Sequence, residues 1–226
     1  MQDSLSYIRN KLFKWYRING RDFPWRHSKD PYRILIAEFM LHRTKAEQVV
    51  PVYKEFIKKY PDVKSLASAE LNEIKKVTKH LGLHWRAQHF ITSANFIVEK
   101  YNGNIPANPE DILKIPGVGD YITGAIMVVC FNKKYPVVDS NIARFLNRFF
   151  NLELKSEIRR KKKIVGLSEQ LFNSHKKTEL LFALIDFCSL ICKPIRPLCL
   201  KCSLFQRCMY KNKNKRQTYS YPPSAP

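Results

Sequence analysis

Apolar residues recur at helical spacing along nearly all of this 226-residue chain, and that periodicity limits its fold more than any other feature. Leu5, Ile8, Leu12 and Trp15 mark one face of an N-terminal helix. The stretch from Tyr32 to Leu41, "YRILIAEFML", is apolar almost all round, as a buried helix requires. Amphipathic segments follow in "AEQVVPVYKEFIKKY", "SAELNEIKKVTKHLG" and "WRAQHFITSANFIVEKY", with Gly82 and Gly103 as expected stops. Ser68, with Glu70 after it, reads as a capped helix start. Asn108-Pro109-Glu110 reads as another, with proline at the first helical position. "TGAIMVVCF" and "SNIARFLNRFF" continue the pattern, and period-two alternation never runs beyond a few residues. The expected fold class is all-α. A boundary is expected near Lys133 to Pro136, the basic run Arg159 to Lys163 marks an exposed helix end or loop, and the polar, basic stretch after Cys208 reads as a mobile tail.

Charge narrows the partner. Lys and Arg total 40 against 19 Asp and Glu, a net charge of +21, and a surplus of that size points to a polyanion such as nucleic acid. A lysine-rich surface without a partner is the alternative. No run approaches the roughly 18 apolar residues of a membrane span, and the N-terminus lacks a signal-peptide pattern. A cytosolic protein is expected, in which thiols stay reduced and clustered cysteines read as metal ligands.

Two clusters stand out against this background. Three of only 7 glycines, Gly117, Gly119 and Gly124, fall within "KIPGVGDYITGA". Glycines two apart between helices permit positive φ and close approach, and the amides opening the next helix favour an anion such as a DNA phosphate. An ordinary tight helical corner is the competing reading. Four of the 6 cysteines, Cys192, Cys199, Cys202 and Cys208, have the spacing C-x6-C-x2-C-x5-C. Four thiolates in one short loop suit either tetrahedral zinc or a [4Fe-4S] cluster, and spacing physics alone does not choose. Cys130 and Cys188 lie on apolar helices and read as small core residues.

Ile115-Pro116-Gly117-Val118-Gly119 between helices resembles the helix-hairpin-helix of the endonuclease III and MutY superfamily of DNA glycosylases. The cysteine spacing is similar to the iron-sulfur loop of that family residue for residue. "RDFPWRHSKDPYRILIAEFMLHRT" (Arg21 to Thr44) resembles the opening motif shared by MutY adenine glycosylases and the Mig-type thymine-DNA glycosylases of archaea. The similarity spans about residues 8 to 210.

The resemblance implies a two-lobed all-α fold: a six-helix barrel with the hairpin over residues 22–135, a cluster lobe from residues 1–21 and 136–210, and a basic flexible tail over 211–226. It implies a structural [4Fe-4S] cluster on Cys192, Cys199, Cys202 and Cys208; Lys193, Arg196, Lys201 and Arg207 decorate that loop, either as grips for phosphates or as simple solubilising charge. It places Gly117, Val118 and Gly119 against DNA, and His42, Arg43 and Trp85 (or His84) in the gap left by a flipped base. Asp139 falls where the family carries its catalytic aspartate, at the start of a helix; helix capping is its bland role. Glu38 matches the MutY glutamate that protonates or hydrogen-bonds the leaving base. An unpaired Glu on a buried helix is costly, so a site or a structural ion pair is expected there.

Bifunctional relatives carry a lysine where this chain has Tyr121. Tyrosine forms no Schiff base, so base removal without strand cleavage is expected. His-Arg-Thr at 42–44 leans towards the Mig type. The sequence ends 18 residues after its last cysteine, so the further domain by which MutY reads 8-oxoguanine is expected to be absent. The reading is a monomeric, monofunctional glycosylase of base excision repair, cytoplasmic and nucleoid-associated. It would hydrolyse the N-glycosidic bond of thymine or uracil mispaired with guanine in double-stranded DNA. An adenine glycosylase without its recognition domain, or a non-catalytic DNA-structure-binding protein, is the alternative.

Overall fold

The computed structural model describes residues 2–82 and 86–210, with Arg86 described by its backbone alone. Among these the regular elements are helical, and none is long and apolar enough to cross a membrane. The tail expected over 211–226 lies outside the described residues, as do His84 and Trp85. The chain divides into two compact units: Asp22–Lys133, and Met1–Arg21 together with Lys134–Pro226.

The N-terminal helix α1 (Gln2–Asn19) belongs to the discontinuous unit. The unit Asp22–Lys133 then holds α2 (Pro31–Leu41), α3 (Ala46–Lys59), α4 (Val63–Ala67), α5 (Leu71–Thr78), α6 (Arg86–Tyr101), α7 (Pro109–Ile112) and α8 (Asp120–Val129). Two of these seven α-helices, α4 and α7, are only 5 and 4 residues long. Asp30 caps α2 by accepting the Tyr32 N–H at 2.9 Å, with Pro31 at the first turn. Helix α2 buries Tyr32, Ile34, Leu35, Ile36, Ala37, Phe39 and Met40, so its apolar circumference lies within the core. Phe39, Phe56 and Phe90 pack there at centroid separations of 5.0 and 5.5 Å.

The expected cap at Ser68 is not a helix start. Ser68 follows α4 as its C-terminal residue, and its hydroxyl donates to the Lys64 carbonyl. The cap lies one helix earlier. Asp62 accepts the Ser65 N–H while the Ser65 hydroxyl faces the Asp62 backbone, a reciprocal capping box. Asn108 caps α7 as expected, accepting from the Glu110 N–H at 2.9 Å.

The discontinuous unit adds α9 (Ser140–Phe149), α10 (Lys162–Leu171) and α11 (Lys177–Leu190) to α1. Helix α1 packs on α10 and α11, burying Leu5, Ile8 and Leu12, with Trp15 edge-on to Phe187 at 5.2 Å. Where the chain leaves α1, Arg21 donates its backbone N–H and its Nε to the two oxygens of Asp186, each at 2.8 Å. Asp186 is fully buried on α11, so this pair closes the unit across 165 residues of sequence. Ser168 of α10 performs a similar service for the extended entry to α9. Its buried hydroxyl accepts the Val137 N–H at 3.0 Å and lies 2.8 Å from the Val137 carbonyl, so neither backbone group is left unpaired.

Candidate active site

The hairpin is the turn between α7 and α8. Ile112 and Ile115 anchor it in the core. Gly117 adopts φ +79°, a region that side-chain-bearing residues avoid, and a Cβ there would stand 3.2 Å from His89 Nδ1. Val118 is buried and its N–H donates to the Ile115 carbonyl. Gly119 differs from Gly117. It is extended, at φ −116°, caps α8, and has nothing within 4 Å of a would-be Cβ. Of the two glycines, the first satisfies the turn and the second leaves open space before the amides that open α8. From the other side α6 braces the turn: the Ser93 hydroxyl lies 2.6 Å from both the His89 and Pro116 carbonyls.

Helices α2 and α8 pack together and bring Glu38 and Tyr121 to each other. The Tyr121 hydroxyl points its donor at Glu38 Oε1 across 3.5 Å, at the outer limit of a hydrogen bond. Glu38 is half-buried and has further partners, and it is the point at which the buried circumference of α2 opens. His42 and Arg43 lie exposed in the turn that ends α2, and Arg43 takes φ 61°, rare for a residue other than glycine. Trp85 and His84 lie outside the described residues, so their expected wedge role gains no geometry.

Asp139 stands at the N-cap of α9, half-buried. Its Oδ1 accepts the Ile142 N–H at 2.7 Å. Its Oδ2 is engaged as well, accepting the Asn141 side-chain amide at 2.8 Å. A carboxylate oxygen holds two lone pairs, so one on Oδ2 remains available. Asn141 is fixed in turn by Arg144, which donates Nη1 to its Oδ1 at 3.0 Å and Nη2 to the Cys192 carbonyl at 3.0 Å. One turn on, Arg148 donates to the carbonyls of Lys193 and Pro194 and lies 3.7 Å from Cys192 Sγ. Helix α9 thus holds the acid at its start and the cysteine loop along its length. Sequence reasoning missed Asn141, Arg144 and Arg148; their only signal was spacing, with Arg144 and Arg148 a helical turn apart.

All four clustered cysteines are free of disulfides and half-buried. Burial pushes the Cys202 thiol up to about 12 against a lowering hydrogen bond at Leu204, and the neighbouring thiols Cys208, Cys192 and Cys199 push the same way. Cys199 is raised too, by burial first and then by Cys192. The sulfurs therefore sense one another, and as donors they fit thiolate ligation with two guanidinium groups alongside to offset negative charge. Among the described residues, however, no three His, Cys, Asp or Glu stand in a ligating arrangement. Of the loop's cations, Arg207 is engaged within its own unit, 2.7 Å from Asp3 and over the Tyr7 ring. Cys188 is fully buried as expected, and Cys130 is half-buried, its thiol pushed up to about 12 by burial.

Residues 36–170 match the family described as "HhH-GPD superfamily base excision DNA repair protein". The chain belongs to that superfamily. Within the HhH-GPD superfamily it is 36% identical over 210 residues to a thymine-DNA glycosylase of Aeropyrum pernix, covering 91% of this chain and 94% of that one. It is 32% identical over 216 residues to an adenine DNA glycosylase of Buchnera aphidicola subsp. Acyrthosiphon pisum, covering 94% of this chain but 62% of that longer one. Its fold superposes on a thermostable thymine-DNA glycosylase with a TM-score of 0.87 and 34% identity, over 93% of this chain and 98% of the other.

Proposed function

We propose that this HhH-GPD protein is a monofunctional DNA glycosylase that removes thymine or uracil mispaired with guanine. The observation that carries the reading is the Tyr121–Glu38 pair of α2 and α8. It puts a phenol, not an amine, at the head of the hairpin helix beside a half-buried carboxyl group. The 36% identity to a thymine-DNA glycosylase over nearly the full length supports the substrate.

The N-glycosidic bond breaks through a cation-like sugar. In this reading the Asp139 carboxylate, held by Ile142 and Asn141, stabilises that cation and orients the attacking water through the remaining lone pair of Oδ2. Glu38 and Tyr121 hydrogen-bond the departing pyrimidine, with Glu38 delivering or sharing a proton as negative charge gathers on the base. Gly119 and the amides of α8 hold a phosphate, while His42 and Arg43 fill the vacated stack. Cys192, Cys199, Cys202 and Cys208 would hold a [4Fe-4S] cluster, which when bound supplies a structural cross-link within their loop. The proposed domains are a hairpin-bearing barrel over residues 22–135 and a cluster lobe from residues 1–21 and 136–210, a reading supported by the division of the chain into two compact units.

A panel of duplexes bearing T:G, U:G, A:G and A:8-oxoguanine tests the reading, with base release scored after alkaline cleavage and spontaneous nicking scored separately. Release of thymine and uracil without nicking is expected. Adenine release with thymine untouched replaces it with the adenine reading. A covalent adduct trapped by borohydride overturns the role given to Tyr121.

A further inference from the structure

We infer that the cations at the start of α10 form a second, sequence-independent contact for the phosphates of duplex DNA, separate from the hairpin. The inference rests on the reading that DNA is the partner. Arg159, Arg160, Lys161, Lys162 and Lys163 are five consecutive cations, all exposed. Arg159 is 3.6 Å from Glu157. The side chains of the other four make no hydrogen bond, ion pair or ring contact among the described residues, although exposed lysines elsewhere on the chain pair with Glu73, Asp111 and Glu169.

Their position argues against a role in folding. A helix N-terminus carries partial positive charge and prefers acidic residues, so three lysines at the cap and first turn of α10 oppose the helix that they begin. Helices α3 and α11 also follow a lysine, but each has a glutamate in its first turn, Glu47 and Glu179; α10 has none. The run is nonetheless held in place. Asn147 exchanges two 3.1 Å hydrogen bonds with Leu154, and the intervening loop accepts positive φ at Asn151, Glu153, Ser156 and Glu157. Ile164 is fully buried at the other end. Local stability is thus set aside to hold this run of cations at the surface.

The chemistry of the run selects the partner. Four of the five side chains carry no neutralising partner, and the run contains no apolar residue to form the desolvated centre of a protein interface. Point charges spread around a helix start match a line of phosphates, whose counterions they release.

The test compares three full-length proteins: wild type, Lys161→Gln/Lys162→Gln/Lys163→Gln, and a control of equal charge loss, Lys54→Gln/Lys58→Gln/Lys75→Gln. Binding to a lesion-free duplex is followed as a function of salt. The slope of log K against log salt is expected to shrink by about 2 to 3 in the α10 variant, at about 0.9 for each phosphate that is no longer neutralised. The control keeps the wild-type slope, and Lys→Arg at the three α10 positions restores it. The melting temperature of the Gln variant stays at or above that of wild type, because repulsion at the helix start is relieved. An unchanged slope, or an equal loss in the control, overturns the inference. Single-turnover release from T:G at saturating enzyme is equal in all three. If wild type releases no pyrimidine, the proposed activity fails while the slope comparison still decides the α10 contact.

Discussion

Asp139 carries two demands on one carboxylate. Oδ1 serves the helix and Oδ2 is pinned by Asn141, so orientation is fixed by the same bonds that stabilise the start of α9. Asparagine caps helices about as well as aspartate, so Asp139→Asn is expected to cost under about 1 kcal/mol of stability. The charge needed opposite a cationic sugar is lost, and single-turnover release should fall about 10²- to 10⁴-fold with DNA affinity retained. A variant that binds and still releases base at the wild-type rate refutes the assignment. Glu73 gives a residue-scale prediction independent of function. Lys59 and Lys76 both bond it and hold its carboxyl at about 2, below the ordinary 4.5 of a glutamate. A depressed carboxyl stabilises the fold above its unfolded pKa and loses that contribution as pH falls through the folded one. The stability gap between wild type and Glu73→Gln should therefore be constant above pH 4.5 and close as pH falls towards 2. The group is exposed, so the gap should also shrink in high salt. Denaturation curves over that pH range check both statements.

At the scale of elements, the two hairpin glycines separate fold from function. Gly117→Ala forces a Cβ into a left-handed conformation 3.2 Å from His89, and is expected to cost about 1–2 kcal/mol. Gly119 is extended and faces open space, so Gly119→Ala should leave stability within about 0.5 kcal/mol of wild type. Its methyl instead enters the space proposed for a phosphate, so duplex affinity should drop. Thermal melts paired with binding isotherms test the split; equal melting losses in both variants would abolish it. The elements themselves are legible where periodicity is strong: α2, α6 and α9 fall where their apolar patterns lie, and Gly82 and Gly103 both take positive φ at the ends of their helical segments. Ser68 misleads because serine suits either end of a helix, and the Asp62–Ser65 box depends on a reciprocal contact that composition does not reveal. In the site, Glu38, Tyr121 and Asp139 are visible as residues in a motif. The bonds that brace the hairpin and the start of α9 are not, because the Ser93 hydroxyl and the Arg144 guanidinium find the Pro116 and Cys192 carbonyls, 23 and 48 residues away in sequence.

At the scale of the whole molecule, the discontinuous unit was expected from the family resemblance, and periodicity alone does not reveal it. Periodicity finds α1 but does not say that it packs on helices more than 150 residues away. The Arg21–Asp186 pair records that closure, and burial makes it consequential. Asp186 is fully enclosed, while the Arg21 side chain retains 22% exposure. Removing the carboxylate leaves a half-buried guanidinium and the Arg21 N–H without their acceptor, and breaking a buried pair from one side costs about 3–5 kcal/mol. Asp186→Ala is therefore expected to lower the stability of the discontinuous unit by that amount. Asp186→Asn keeps one acceptor oxygen and should lose less. If the pair closes the unit, the loss should appear as earlier hydrogen exchange in both α1 and α11, which no local defect on α11 alone would produce. Exchange confined to α11 would show that α1 holds its place by Leu5, Ile8 and Leu12 alone.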